Sequence, residues 1–154
     1  GTPVTRAFSR TVVDVEAVPA ASLLWEATVP ANVMGANGYL EYFALVVMPN
    51  NSGVTESVGL QIDGVGILGG TVTAGASSVS CLYSLNLIAA NSTSLVYKTA
   101  AGTSPYAGMS STSFGTTTFS YDSTTSHTFK LWATGGGTGT VSFREGRIDA
   151  CYLP

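Results

Sequence analysis

Residues 62–70 read IDGVGILGG, and Gly64, Gly66 and Gly69 fall at the GxGxxG spacing that dinucleotide-binding proteins use to bring backbone close to a pyrophosphate. That chemistry needs a helix N-terminus after the glycines to hold the phosphates, and an acidic residue about 20 positions later for the ribose. Neither is present. The chain continues TVTAGASS, whose β-branched and small residues start helices poorly, and no Asp or Glu occurs between Asp63 and Asp122. The spacing is expected instead to mark a turn and a bulge between two strands.

Other reactive groups are sparse. His127 is the only histidine, in SHTFKLW at the start of a strand-like run that puts Phe129 and Leu131 on its side. It is the one obvious base. A Ser/His/Asp set drawn from distant parts of the chain stays open, but no GxSxG elbow presents a serine. One His and two Cys lack the usual zinc ligand set. No catalytic residue, metal ligand or cofactor is therefore assigned. Cys81, in VSCLYSL with Val79, Tyr83 and Leu85 on its face, reads as a small buried hydrophobe, and a disulfide to Cys151 remains an alternative. Asp14 and Glu16 share one strand face, either as a cation or paired-carboxylate site or, more simply, as a solvated face. Asn50 and Asn91 head NxS/T sequons, which are glycosylated in a eukaryotic secretory pathway and are turn residues otherwise.

Binding chemistry is better supplied. Tryptophan and tyrosine rings stack on sugars as readily as they pack in cores. Trp25, in SLLWEATV, alternates with Leu23 and Ala27 and reads as core. Trp132 alternates with Lys130, away from Phe129 and Leu131, and is the better candidate for a ring left outside the core. Arg144 and Arg147 are candidates for holding a small anion where subunits meet, because a guanidinium forks well onto a carboxylate; ion pairs with Glu145 or Asp149 are the simpler use.

The elements that must position these groups are strands. Short β-branched and aromatic runs recur between Gly, Asn, Pro and Ser clusters, and nothing reads as a long amphipathic helix. Strands are predicted near 4–13, 22–29, 39–48, 54–62, 67–74, 79–88, 94–99, 112–121, 127–134 and 140–153. The predicted fold is all-β: an antiparallel β-sandwich of jelly-roll type with eight to ten strands. At 154 residues the expectation is one domain over 1–154, read as the C-terminal part of a longer chain. In VSFREGRIDACYLP the alternation changes phase, and a bulge is predicted at Gly146.

Charged residues are only 10% of the chain and hydrophobic ones 45%, with a mean hydropathy of +0.31. Charge this scarce suggests a surface of Ser, Thr, Asn, Gly and Tyr, as on extracellular or virion proteins, or a surface buried against copies of itself. The strand YLEYFALVVM, residues 39–48, is apolar on both faces apart from Glu41. One face fits a sandwich core, and the other fits either a second copy or the chain's own loops. Net charge is −3 and the six basic residues are scattered, which argues against nucleic acid as a partner. No apolar run approaches the roughly 18 residues of a membrane-spanning helix.

The segment LLWEATVPANVMGANGYLEYFALV, residues 23–46, resembles the β-rich C-terminal knob domains of bacteriophage tail needles, fibres and spikes. The shared pattern is an apolar strand, TVPAN, a short GANG loop and a second apolar strand, with the chain finishing at YLP. These knobs are similar to the tumour necrosis factor-like jelly roll. The resemblance implies a homotrimer on the virion that contacts a host cell-surface component, a glycan among the candidates, for attachment or penetration. It supplies no active-site residues. The alternative expectation is a monomeric carbohydrate-binding β-sandwich module of a tailspike or a secreted glycan-degrading protein. A capsid or decoration protein stays open, since a fold does not fix a function.

Overall fold

A computed structural model describes residues 1–16, 21–48, 56–72, 79–89, 94–101, 109–110, 114–135 and 140–154. The strands are β1 (Val4–Ser9), β2 (Val13–Glu16), β3 (Ser22–Val29), β4 (Tyr39–Met48), β5 (Glu56–Ile62) and β6 (Val65–Val72). They continue as β7 (Val79–Ala89), β8 (Ser94–Ala101), β9 (Met109–Ser110), β10 (Phe114–Ser120), β11 (His127–Gly135) and β12 (Thr140–Cys151). Among the described residues they form two antiparallel sheets, one in the order β1-β12-β4-β7-β8-β10 with β2 also on β12, the other β3-β11-β5-β6-β9.

Four antiparallel ladders are nested: β1 with β12, β3 with β11, β4 with β7 and β5 with β6. The chain is thus laid out as one long hairpin, and the rolling pairs β12·β4 and β11·β5 curl it into two facing sheets. Those eight strands are the jelly roll, and β8 and β10 widen one of its sheets. The tip of the hairpin is the Asp63–Gly64 turn, where φ of 51° and 81° gives the doubly positive backbone of a two-residue hairpin loop. The register between β5 and β6 then slips past Leu60, making Ile67 the extra residue of a bulge. The glycine spacing of residues 64–69 is therefore the predicted turn and bulge.

The core lies between the sheets. Leu40, Tyr42, Ala44 and Val46 on β4 are at most 1% exposed, and so are Leu131 and Phe129 on β11 and Phe143 and Ile148 on β12. Phe143 and Ile148 are an odd number of residues apart, so an unbroken strand would send them to opposite faces. The register between β12 and β4 slips between Phe143 and Glu145, making Arg144 the extra residue of a bulge, and both side chains point inward. The bulge predicted at Gly146 is thus two residues earlier. Gly146 matters for another reason. A Cβ there would lie 2.5 Å from the Trp25 ring, so its bare backbone is the seat of that indole. Trp25 then stacks on Phe143 and tilts onto Tyr42, each at 5.6 Å between centroids, joining the two sheets.

Several other expectations are revised. The first predicted strand, 4–13, breaks at residues 10–12 into β1 and β2, which run along the same edge of β12. Leu23 is exposed rather than sharing the core with Trp25, because Leu24 is the extra residue where β3 slips against β11. Cys151 is a free, buried thiol that donates to the Gly1 carbonyl at 3.0 Å. The register sets Cys81 beside Val46 and Cys151 beside Tyr39, on opposite sides of β4. Seven residues of strand, about 23 Å, separate those rungs, far beyond the roughly 7 Å between Cα atoms that a disulfide tolerates. Asn50, Asn91 and the Cys81 side chain lie outside what is described.

The TVPANVMGANG stretch closes one end of the sandwich. Val33 and Met34 are buried, and the Asn32 N–H donates to the Ser123 carbonyl at 2.8 Å. The chain end is tied to the same loop, since Leu153 N–H donates to Met34 O at 3.0 Å and Asn37 Nδ2 donates to Pro154 O at 2.7 Å. Gly35, at φ 68°, and Gly38 leave room for the backbones of Leu153 and Cys151.

Gly146→Ala is expected to force Trp25 out of its seat and cost about 1–3 kcal/mol, as overpacking does. Urea denaturation checks this: the midpoint should fall with the slope unchanged, and an unaltered midpoint would show that the Trp25 seat has slack.

Candidate functional site

The outer faces of the two sheets differ. On the five-stranded sheet, β11 lies between β3 and β5, and its outward residues are Trp132, Lys130 and Thr128. Trp132 pairs with Leu23 on one side and Gly59 on the other, and Gly69 lies beyond Gly59. One rung along, Lys130 sits between Glu26 and Gln61, with Gly66 beyond Gln61. The indole therefore stands at the edge of a floor two strands wide that is nearly bare of side chains. A cavity of about 490 Å³ occupies that floor, with Trp132 and Ile67 beside it and Ser57, Gln61 and Thr134 as its polar lining. Among the described residues no charged side chain lines it.

Trp132 is half-buried, and the Lys130 ammonium sits 5.9 Å from its ring centroid, a cation–π contact. Its Nε1 is buried with no acceptor in reach among the described residues. An unpaired buried donor costs about 1–3 kcal/mol, and such exceptions call for a reason other than fold stability. A strand glycine also weakens its sheet, and it suits a place where a ligand must come close to the backbone.

Beyond the tip of the hairpin lies a polar clasp. His127 Nδ1 meets Asp63 Oδ2 at 2.5 Å and Nε2 meets the Asp122 carbonyl at 2.5 Å, with the Tyr121 ring stacked on the imidazole at 3.9 Å. The nitrogen that a catalytic base would use thus faces backbone rather than a nucleophile. Asp63 Oδ1 also accepts the Thr128 N–H at 2.8 Å. Partial burial pushes the Asp63 carboxyl up, but the Thr128 N–H and the His127 ring outweigh it and hold the group below its usual range. Asp122 is likewise held low, chiefly by the Thr124 hydroxyl and then by the Thr124 N–H. The clasp fixes the β5–β6 turn to the loop before β11 and so holds one end of the groove in place.

The other sequence candidates lie on the opposite side of the sandwich. Arg147 is on the outer face of the seven-stranded sheet, stacked 5.6 Å from the Phe43 ring centroid, with Nε 3.1 Å from Asp149. Arg144 is exposed at the β12 bulge, while Glu145 pairs with Arg10 at 3.1 Å. Neither arginine converges with Trp132. Asp14 accepts from the Ser142 hydroxyl across β2 and β12. Among the described residues no group of three or more His, Cys, Asp or Glu side chains is placed to share a metal ion. The residues that the sequence did not single out are Gly59, Gln61, Ser57 and Thr134, while Gly66 drew notice only through the GxGxxG spacing. Their clearest signal was β5, whose outward positions Ser57, Gly59 and Gln61 are glycine or neutral polar residues.

No protein-family model matches the chain, and neither does any curated protein. Solved structures resemble it as β-sandwiches at low identity. The CBM2 module of the evolved Dit of Lactobacillus casei BL23 phage J-1 overlaps with a TM-score of 0.43 at 10% identity, covering 80% of this chain and 67% of that one. A legume lectin-like domain from Entamoeba histolytica gives 0.39 at 9% identity, covering 96% and 90%. Galectin LEC-6 of Caenorhabditis elegans gives 0.33 at 12% identity, covering 88% and 94%. At these identities the likeness concerns the arrangement of strands.

Asp63→Asn keeps a residue suited to the positive-φ turn but removes the charge facing His127, and is expected to cost about 1 kcal/mol at neutral pH. Because the folded carboxyl is held low, its contribution is present above the usual carboxylate pKa, about 4, and fades as pH falls through and below it. Thermal unfolding of both proteins from pH 7 to pH 2 tests this: the gap should close on the acid side, and a gap independent of pH would contradict it.

Proposed function

We propose that the chain is a non-enzymatic recognition domain that binds carbohydrate in the groove beside Trp132. The observation that carries this reading is the pairing of an outward indole with an uncharged, nearly side-chain-free floor rimmed by Ser57, Gln61 and Thr134. A pyranose has a flat C–H face and a rim of hydroxyls. The indole takes the C–H face, the glycine floor lets the ring lie close to the sheet, and the amide and hydroxyl groups exchange hydrogen bonds with the rim. The cavity volume is in the range of small-ligand sites. His127 is tied at both nitrogens, which supports a binding role for the domain over a catalytic one.

A second reading concerns the opposite sheet and is compatible with the first. The outward side chains of β4, Phe43, Leu45 and Val47, are half-buried, and Phe8 is 52% exposed beside Arg147. An apolar outer face on a central strand suits self-association, as in a homotrimeric knob at the tip of a phage tail needle or fibre. In that assembly Arg144 and Arg147 are the candidates for trapping a small anion between subunits. The Trp132 face would then be turned toward glycans of the host surface, with the protein on the virion.

Two measurements separate these readings. Trp132→Ala is expected to lower glycan affinity at least tenfold, about 1.4 kcal/mol, with the thermal midpoint nearly unchanged because the ring lies outside the core. Retained affinity in that variant would remove the groove from the account. Light scattering across a dilution series is expected to give three times the 15.8 kDa chain mass, and a monomer at every concentration would remove the knob reading while leaving the groove.

A further inference from the structure

Trp132 separates two recesses, and they differ chemically. On its far side from the neutral cavity lies a second one of about 290 Å³, lined by Glu26, Gln61, Asp63, Thr128, Lys130 and Trp132. The two share Trp132 and Gln61. Within the second, Asp63 is committed to His127 and to the Thr128 N–H. Glu26 and Lys130 are cross-strand neighbours on the outer face, and no ion pair within 4 Å joins them. The second recess therefore offers a carboxylate that accepts and an ammonium that donates, side by side.

From these features we infer that the groove is a two-subsite, directional site for an oligosaccharide of neutral sugars. The inference rests on the carbohydrate reading of the Trp132 cavity. The rung of Trp132 and the rung of Lys130 are two residues apart, about 6.7 Å along the strand, which is on the scale of one pyranose unit. The first unit lies against the indole in the neutral cavity, over Gly59 on the Trp132 rung, with Gly66 of β6 flanking it from the far side of Gln61. The next lies over the Lys130 rung, where vicinal hydroxyls donate to Glu26 and accept from Lys130. The glycan runs along β11 and β5, from the Ser57–Thr134 end toward the hairpin tip.

Gly66 belongs to this design. A Cβ built there meets nothing within 4 Å, and its φ is not in the left-handed region, so neither packing nor backbone strain explains a glycine at that place. The space it leaves flanks the first subsite. A larger residue at Gly66 would project into that subsite without disturbing the sheet.

The test uses matched mono-, di- and trisaccharides of neutral hexoses and N-acetylhexosamines, titrated into the unaltered chain, Gly66→Val, and the double variant Lys130→Ala with Glu26→Gln. All three positions are at the surface, so the thermal midpoint serves as the check on folding. The expected result is at least a tenfold gain from mono- to disaccharide in the unaltered chain. That gain should collapse to about one in the double variant, while Gly66→Val weakens mono- and disaccharide together. A disaccharide that binds no tighter than its parent sugar, or a gain that survives in the double variant, would overturn the second subsite and leave the Trp132 site standing. If no sugar of any size binds, the carbohydrate reading itself falls, and the second subsite with it.

Discussion

The bulge at Arg144 is the constraint on which the rest of the structure depends. β12 lies between β1 and β4, and one added residue lets Phe143 and Ile148 both face the core although they are five residues apart. The same change of phase turns Gly146 inward, and the missing side chain there makes the seat for Trp25. Trp25 sits on β3 opposite Leu131 of β11, so the indole that locks the sheets together also fixes where β11 runs. The next residue on β11 is Trp132, which the strand pleat sends outward. Two tryptophans one strand apart thus divide the work, one holding the sandwich and the other standing over its surface.

The nested hairpin sets the geography of the molecule. The glycines that first suggest a nucleotide are at its tip and in its returning strand; the hairpin pairs that strand with β5, and the roll sets β5 beside β11, so the returning strand lies within two strands of Trp132. The apparent phosphate loop is a bare surface. Chemistry is divided between the two sheets: glycine, indole and polar groups, with Glu26 and Lys130 beside them, on one outer face, and Phe8, Arg147 and Phe43 in a row across the other. A single layer could not present both. In the proposed function, one face of the sandwich binds a ligand while the other is free to meet a copy of the chain.

Much of the fold is legible in the sequence because period-two patterning and turn residues are local signals. The turn at Asp63 and Gly64 follows from its turn residues and the outward placement of Trp132 from alternation, whereas β4, apolar on both faces apart from Glu41, does not show which set points inward. Where bulges intervene, alternation misleads. It places Leu23 in the core because the extra residue Leu24 cannot be seen without the β11 register, and it puts the β12 phase change at Gly146 when Arg144 is the extra residue. The site is half legible. Trp132 reads as an outside ring, but its floor depends on which residues of β5 and β6 are its neighbours across the sheet. Register is a property of three strands together, and one strand's pattern does not contain it. The same holds for Arg144 and Arg147, which residue type makes candidates alongside Trp132 but which lie on the other sheet.

The central claim is that ligand meets the sheet at Trp132, and the chain offers a direct probe because it has two tryptophans, one in the core and one in the groove. The measurement is a nitrogen–proton NMR titration with neutral disaccharides, following the two indole N–H resonances. The expected result is a progressive shift of the Trp132 indole together with the amides of Gly59, Gln61 and Gly66, while the Trp25 indole stays in place. A stationary Trp132 resonance at saturating sugar, or shifts centred on Phe43 and Arg147, would contradict it.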